Sequence, residues 1–307
     1  MIAVLSLNPC LDKTLSLERF DISAPNRVDL ERVDLGGKGV NVARVLGIFS
    51  EKPRLFGFDY RENPVEKEMK MIAACNLLPL QGNLRVNLKI RQQEGPMIEI
   101  NERGVPADAA ALSCLEKMLL DACRPGDWIA LCGSLPPGAP ADTYAKLCRK
   151  LKEKGCFVAV DCDGPALAAA LEAEPDIIKP NAQEFFALTG VSALDEQAAI
   201  AACERLHTKG IGMICLSRGP EGALLSVRGK KIFCPAADVP VRGVQGAGDS
   251  MLAGLLYALD KGESPENALR FASAVAGGSV MQPGTQLCIL ADVQRIYEEM
   301  PACRICS

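Results

Sequence analysis

Between residues 112 and 217 the chain switches repeatedly between helical apolar spacing and short unbroken apolar runs, and this alternation narrows the possible folds more than any other feature. Helical spacing over 112–123 precedes an apolar run at 128–132. The stretch 142–154 precedes 156–161, 164–171 precedes 176–179, and two helical stretches, 181–188 and 196–207, precede 212–217. Short continuous apolar runs between helices read as strands buried on both faces, so the pattern implies an α/β fold with a mostly parallel, doubly wound sheet. Residues 2–7, IAVLSL, supply another such strand; a hairpin-like segment at 222–234 and a last long helix at 266–281 close the series. Ligands of open parallel sheets bind beyond the C-terminal strand ends. A site is therefore expected in the loops 133–138, 161–164, 179–184, 217–222 and 246–249.

A second pattern interrupts the first. Residues 14–35, NLRVNLKI at 83–90 and PMIEIN at 96–101 alternate apolar and polar side chains, the signature of half-exposed antiparallel strands. They are expected to form a small β-sheet apart from the main core, inserted at about 13–35 and 83–101 in one domain spanning 1–307.

Composition removes whole classes of function. A net charge of −4 argues against broad nucleic-acid binding, although a local basic pocket for one small phosphate is compatible with it. No apolar run approaches the ~20 residues that span a bilayer. The opening MIAVLSLNPCLDK has no basic region ahead of its apolar stretch and reads as a strand, not a leader, so cytoplasmic residence is expected. Many of the 14 cysteines lie in apolar runs, as reduced buried thiols do, and the one CxxC, Cys303 to Cys306, has no second pair. The single histidine, His207, falls at the end of a helical pattern, where a solvated side chain is expected. Histidine triads and multi-histidine metal sites are thereby disfavoured, leaving acid–base work to carboxylates, Lys, Cys or Tyr.

The chemistry is expected in VRGVQGAGDSMLAGLLYAL, 241–259, where a glycine turn runs into an amphipathic helix. Gly246, Ala247 and Gly248 would stand at the helix N-terminus, where unpaired N–H groups and the macrodipole suit a phosphate or developing anion. Local pattern leaves Asp249 open between a helix-start acid and a general base. Asp12, in a loop after the first strand, is equally open between a turn residue and a substrate contact. Gly36, Gly37, Lys38, Gly39, Val40 and Asn41 precede a helical run but lack the GxxxxGK[ST] phosphate-loop spacing. Asn181 and Glu184 have capping-box spacing, which by itself is a structural role.

GGKGVNVARVL (36–46), GSLPPG (133–138), KPNAQEF (179–185), SRGPEGAL (217–224) and GAGDSMLAGL (246–255) together resemble the ribokinase-like carbohydrate kinases of the phosphofructokinase B family, in family order and over nearly the whole chain. The resemblance implies a ribokinase-like α/β core, a β-sheet lid over the sugar site, and ATP-dependent phosphorylation of a sugar hydroxyl. NLRVNLKI and the LNPCLD start look like the branch whose substrates already carry a phosphate.

That branch implies a ketohexose phosphate converted to a 1,6-bisphosphate, with fructose 1-phosphate expected first and tagatose 6-phosphate or fructose 6-phosphate as alternatives. A non-catalytic sugar-phosphate-binding regulator on the same fold is the alternative of another class. Asp249 would act as general base, with Gly246, Ala247 and Gly248 as the anion hole. Asp12, Arg27, Gly37, Lys38, Asn41, Arg85 and Ser134 would meet the phosphosugar. ATP would lie along Ser217, Gly219, Gly222 and Gly284, in the regions 217–222 and 277–284. Mg²⁺ would be influenced by Asn181 and Glu184, in part through water. A homodimer through the lid is expected from the family and from the need to cover exposed strand edges. Two departures stand out: Phe58 to Asn63 replace a glycine-rich stretch, which bears on sugar specificity, and Val244-Gln245 precede the GAGD turn, which bears on a nucleotide contact.

Overall fold

A computed structural model describes residues 1–49 and 53–306. In chain order, β1 (Ile2–Ser6) runs into β2 (Cys10–Leu17) and β3 (Asp29–Gly36), and α1 (Lys38–Phe49) returns to the core. Then follow β4 (Arg54–Tyr60), α2 (Glu66–Ile72), β5 (Ala74–Leu80), β6 (Arg85–Gln92) and β7 (Ile98–Asn101). The alternating half contains α3 (Ala109–Ala122), β8 (Trp128–Cys132), α4 (Thr143–Glu153), β9 (Phe157–Asp161), α5 (Gly164–Leu171), β10 (Ile177–Ile178), α6 (Ala182–Thr189), α7 (Glu196–Thr208) and β11 (Met213–Ser217). A 3₁₀ turn (Gly219–Glu221) leads to β12 (Ala223–Val227), β13 (Lys230–Cys234), α8 (Ala247–Asp260), α9 (Pro265–Val280), α10 (Leu290–Glu299) and β14 (Arg304–Cys306).

The main sheet has ten strands in the order β14-β13-β12-β11-β10-β9-β8-β1-β4-β5. From β11 to β5 all pairings are parallel, and β12, β13 and β14 extend that edge antiparallel. Every residue of β1 and β8 is buried, as a strand covered on both faces must be. Helices α1, α8, α9 and α10 pack together as one layer, and α3, α4 and α5 form another. Chain order reverses between β1 and β8, which creates a crevice at their C-terminal ends. Local signals explain the helix starts nearby. Asp108 accepts from Ala111 N–H at 2.7 Å, and Ser264 accepts from Asn267 N–H just ahead of Pro265.

The alternating segments form the smaller sheet, β3-β2-β6-β7, with β2 antiparallel to β3 and parallel to β6. The sequence expectation for a separate lid sheet is met. Among the described residues no helix is long and apolar enough to cross a membrane.

Four expectations are corrected. The run at 176–179 keeps only two residues as a strand, because the chain turns at Lys179-Pro180 into α6. The helix at 266–281 is not the last: α10 and β14 follow. His207 is buried, not solvated, since the last turn of α7 packs against β12; its Nδ1–H donates to the Ile211 carbonyl at 2.8 Å and its Nε2 accepts from the Ser226 hydroxyl at 2.7 Å. Asp12 lies within β2, not in a loop, and its side chain is buried.

Candidate active site

Five segments converge at the crevice: the ends of β1, β8, β9 and β10, and the turn that opens α8. Gly246 caps α8 with φ +74°, a left-handed backbone that favours glycine, and a Cβ there would also press on the tip of Leu287 at 2.6 Å. The turn thus presents the Gly248 N–H without a helical partner, while the Ala247 N–H makes only a long bond to the Val244 carbonyl at 3.4 Å. One residue on, Asp249 is 7% exposed, and its Oδ2 accepts from Asn41 Nδ2 at 2.8 Å.

Beneath this turn lies a buried ionic network. Lys38 Nζ, from the first turn of α1, meets Asp161 Oδ1 at 2.7 Å and Glu184 Oε1 at 3.1 Å. Lys179 Nζ meets the other Asp161 oxygen at 3.1 Å. A Cβ on Gly248 would sit 3.2 Å from Lys179 Nζ, so the ammonium backs directly onto the anion-binding turn. Burial opposes charge on both lysines, yet Asp161 overrides it and holds both above the ordinary range. Burial likewise opposes ionisation of Asp161, and Lys179 and Lys38 override it and hold that carboxyl below its ordinary range. Asp249 goes the other way. Burial, reinforced by the Asp161 charge, pushes it up to about 6 against the opposing Asn41 hydrogen bond and the two lysines.

Two cavities open from this network, and Lys38 and Asp249 line both. One, of about 840 Å³, is walled by Ser217, Gly219, Gly222, Ala236, Ala237, Ala247, Gly248, Ser273 and Gly277, mostly small residues that let a flat ligand approach backbone. Asn181 and Val244 also line it. The other, of about 650 Å³, lies under the lid and is lined by Asn8, Asp12, Gly37, Asn41, Arg85, Asn87, Lys89, Asn101, Arg103, Ser134, Gln245 and Gly246. Arg85, Asn87 and Lys89 occupy alternate positions of β6 and so share one face. Lys89 Nζ pairs with Asp12 Oδ2 at 3.0 Å, and Asn87 Nδ2 donates to Asp12 Oδ1 at 3.2 Å. Arg85 Nε donates to the Asn8 carbonyl at 3.1 Å and Nη1 to the Glu102 carbonyl at 3.0 Å, which orients the guanidinium across the lid junction. Ser134 Oγ accepts from Asn8 Nδ2 at 3.2 Å.

Most residues expected from sequence therefore come together: Asp249 and its turn, Asp12, Gly37, Lys38, Asn41, Arg85 and Ser134, and across the network Ser217, Gly219 and Gly222. Two do not. Arg27 is exposed in the connection between β2 and β3 and lines neither cavity. Gly284 lies past the end of α9 and is also absent from the walls, where Gly277, on α9 itself, takes the place expected of it. Lys38 faces carboxylates, not open cavity alone. Asn181 and Glu184 form the full capping box of α6, with Glu184 Oε2 accepting from Asn181 N–H at 2.9 Å while Oε1 holds Lys38. Asp161 and Lys179 were not singled out from sequence, although charged residues ending buried apolar runs were the available signal. Lys89 had a period-2 signal: it repeats Arg85 at four residues.

No group of three or more His, Cys, Asp or Glu side chains able to hold a metal occurs among the described residues. Both oxygens of Asp161 already meet lysines. This donor set does not fit a protein cage for Mg²⁺. It fits only an ion that keeps most of its own water, since both Glu184 oxygens are likewise engaged, by Asn181 N–H and Lys38.

A parallel sheet with a lid, a glycine turn at a helix N-terminus, and a carboxylate shared by two cavities define a group-transfer site between two ligands. A family model for pfkB family carbohydrate kinases matches residues 86–292. The chain belongs to that family and is an ATP-dependent sugar kinase. Among curated relatives it is similar to 1-phosphofructokinase of Rhodobacter capsulatus, with 35% identity covering 93% of this chain and 92% of the relative. It is also similar to 1-phosphofructokinase of Haemophilus influenzae, with 31% identity over 97% of each chain. Among solved structures, phosphofructokinase-2 from Escherichia coli in complex with substrates and products superposes with a TM-score of 0.89 at 24% identity, over 97% of this chain and 99% of that one.

Proposed function

We propose that this kinase transfers the γ-phosphoryl group of ATP to a ketohexose phosphate, with fructose 1-phosphate as substrate and the 1,6-bisphosphate as product. The observation that carries this reading is the position of Asp249 on the wall common to both cavities. A hydroxyl held in the lid cavity would meet a phosphate held in the other at that carboxylate.

Asp249 takes the proton of the attacking hydroxyl, a role worth roughly 10²–10⁴ in rate. Its pKa of about 6 leaves it ionised at neutral pH and basic enough to accept. Gly246, Ala247 and Gly248 N–H groups, with Lys179 behind them, stabilise charge on the transferring group. Asn41 holds the Asp249 carboxylate in orientation. In the lid cavity Arg85 and Arg103 supply the cations that a second phosphate needs, while Lys89 secures Asp12 for the sugar hydroxyls. Ser134 contributes a hydroxyl. ATP lies along Ser217, Gly219, Gly222 and Gly277. Asn181 and Glu184 would hold a Mg²⁺ ion through water, and the ion would supply positive charge against the nucleotide phosphates. The names of the relatives favour fructose 1-phosphate over tagatose 6-phosphate and fructose 6-phosphate.

The partner of the lid is a second copy of this chain. Leu30, Val33 and Ile100 stand exposed on its strands, an apolar set that a lid-to-lid dimer would cover.

The test is Mg²⁺-dependent ADP release with fructose 1-phosphate, tagatose 6-phosphate, fructose 6-phosphate and free fructose side by side. A kcat/KM preference for fructose 1-phosphate, lost in Asp249→Asn, is expected. Preference for the unphosphorylated sugar would refute the phosphate-binding assignment of the lid cavity.

A further inference from the structure

The C-terminal cysteines are absorbed by none of this chemistry, and the sheet edge gives one of them a partner. Strand β14 pairs antiparallel with β13 through Lys231–Cys306, Ile232–Ile305 and Phe233–Arg304. The same register carried one step further sets Cys303 opposite Cys234. Opposed residues of an antiparallel pair have Cα atoms about 4.5–5.5 Å apart, inside the ~4.4–6.8 Å range that a disulfide spans. The two thiols also lie within hydrogen-bonding reach of each other. Cys306, the sequence neighbour in the CxxC, is not placed to compete. Three residues along a strand reverse the face, and its sulfur instead accepts from Arg304 Nη1 at 3.2 Å.

The surroundings make this pair chemically unlike the other thiols. Burial, helped by neighbouring acidic groups, pushes Cys123 and Cys215 up to about 12. Cys234 is equally enclosed, yet contact with Cys303 holds its thiol below the ordinary range, while the same contact and burial hold Cys303 above it; the Cys303 S–H also donates to the Glu266 carbonyl at 3.5 Å. A thiolate is the reactive form. Cys303, only half-buried, opens the pair to solvent. Among the described residues no third Cys, His, Asp or Glu completes a metal site here.

We infer that Cys234 and Cys303 form a reversible cross-strand disulfide, made by a peroxide and undone by a dithiol, that weakens nucleotide binding when closed. Peroxide oxidises one thiol to a sulfenic acid, releasing one water. The partner sulfur then attacks that sulfur and expels the second water, so two thiols and one H₂O₂ give one disulfide and two H₂O. A dithiol returns both hydrogens and is itself oxidised.

The effect on the nucleotide rests on the proposed assignment of the larger cavity to ATP. Cys234 is followed two and three residues later by Ala236 and Ala237, both on that cavity wall. The packing there is tight: a Cβ on Gly277 would be 2.7 Å from the Ala237 Cβ, and one on Gly222 would be 2.2 Å from the Cys234 carbonyl oxygen. Closing the bond shortens the sulfur separation from non-bonded contact to about 2.05 Å, and whatever part of that change side-chain rotation does not absorb is passed through the Cys234 backbone to this wall.

The experiment treats the full-length protein with H₂O₂, maps disulfides by mass spectrometry, and measures the KM for ATP before treatment, after it, and after a dithiol. Expected are a 234–303 cross-link and a rise in KM of about 2- to 30-fold, the span of ordinary coupling energies. Both should reverse with dithiol, be absent in Cys303→Ser, and persist in Cys306→Ser. Oxidation that yields sulfinic acids or a 303–306 link overturns the site. A 234–303 link with unchanged KM overturns the coupling to the cavity. An ATP analogue that fails to protect the cavity wall from hydrogen exchange in the reduced protein overturns the cavity assignment separately.

Discussion

Replacing Asp249 by Asn should abolish turnover and make the protein more stable. The carboxyl is held at about 6 against an ordinary value of 3.8, mainly by burial and then by the Asp161 charge. A difference of about two pK units at ~1.36 kcal/mol each means that the ionised side chain costs the folded state roughly 3 kcal/mol. The sign follows from proton counting. Between about pH 4 and 6 the folded protein binds more protons at this site than the unfolded chain, so stability falls as pH rises through that window. Above about 6 the whole cost is present, and below about 4 it is absent. Asn carries no charge to desolvate, and its carbonyl oxygen keeps the hydrogen bond from Asn41. With an unfolding entropy of ~2 cal/mol/K per residue, 3 kcal/mol corresponds to a Tm increase of about 5 °C for a chain of this length. Thermal melts of both proteins without ligand, across this pH range, provide the assay. The gain should be largest at neutral pH and shrink to nothing in acid. A variant no more stable than the parent at neutral pH, or one whose gain ignores pH, refutes the electrostatic account.

The same carboxyl should set the acid limb of kcat/KM, which is expected to fall about tenfold per unit below an apparent pKa near 6; a flat profile down to about pH 5 would remove Asp249 as base. Arg85→Ala should raise KM for the phosphosugar by about 10- to 100-fold, as the loss of a hydrogen bond to a charged group does, while KM for ATP stays unchanged in steady-state assays. Asp161→Asn leaves Lys179 buried without its partner, while half-buried Lys38 keeps Glu184, and should cost about 3–5 kcal/mol in urea unfolding. Gly246→Ala combines a left-handed backbone with a clash on Leu287, and both Tm and kcat are expected to drop.

The parts of this architecture that were legible in the sequence are those where one local period decides. Strands such as β8 and helices such as α5 follow from unbroken apolar runs and helical spacing, and the lid follows from alternation at 83–90. What stayed hidden depends on contacts made across the chain. His207 ends an amphipathic helix, and only the packing of α7 against β12 brings the Ser226 hydroxyl to it. Asp161 and Lys179 are 18 residues apart in sequence, and their pairing exists because β9 and β10 are adjacent in the sheet. Gly284 and Gly277 are equivalent in composition; only the line of α9 beside the cavity selects Gly277. Strand β14 is three residues long, too short to show a period, and becomes a strand because β13 offers an open edge.

The small sheet is threaded to the body four times: after β1, before α1, after β5 and before α3. It is no flap on a single pivot. A rigid displacement must be absorbed at all four crossings together, and the briefest of them is Gly37 alone, held at φ +98°. That residue is joined directly to α1, which carries Lys38 and Asn41. The junction of sheet and body at this point is thus one residue away from the helix whose two side chains hold Glu184 and Asp249.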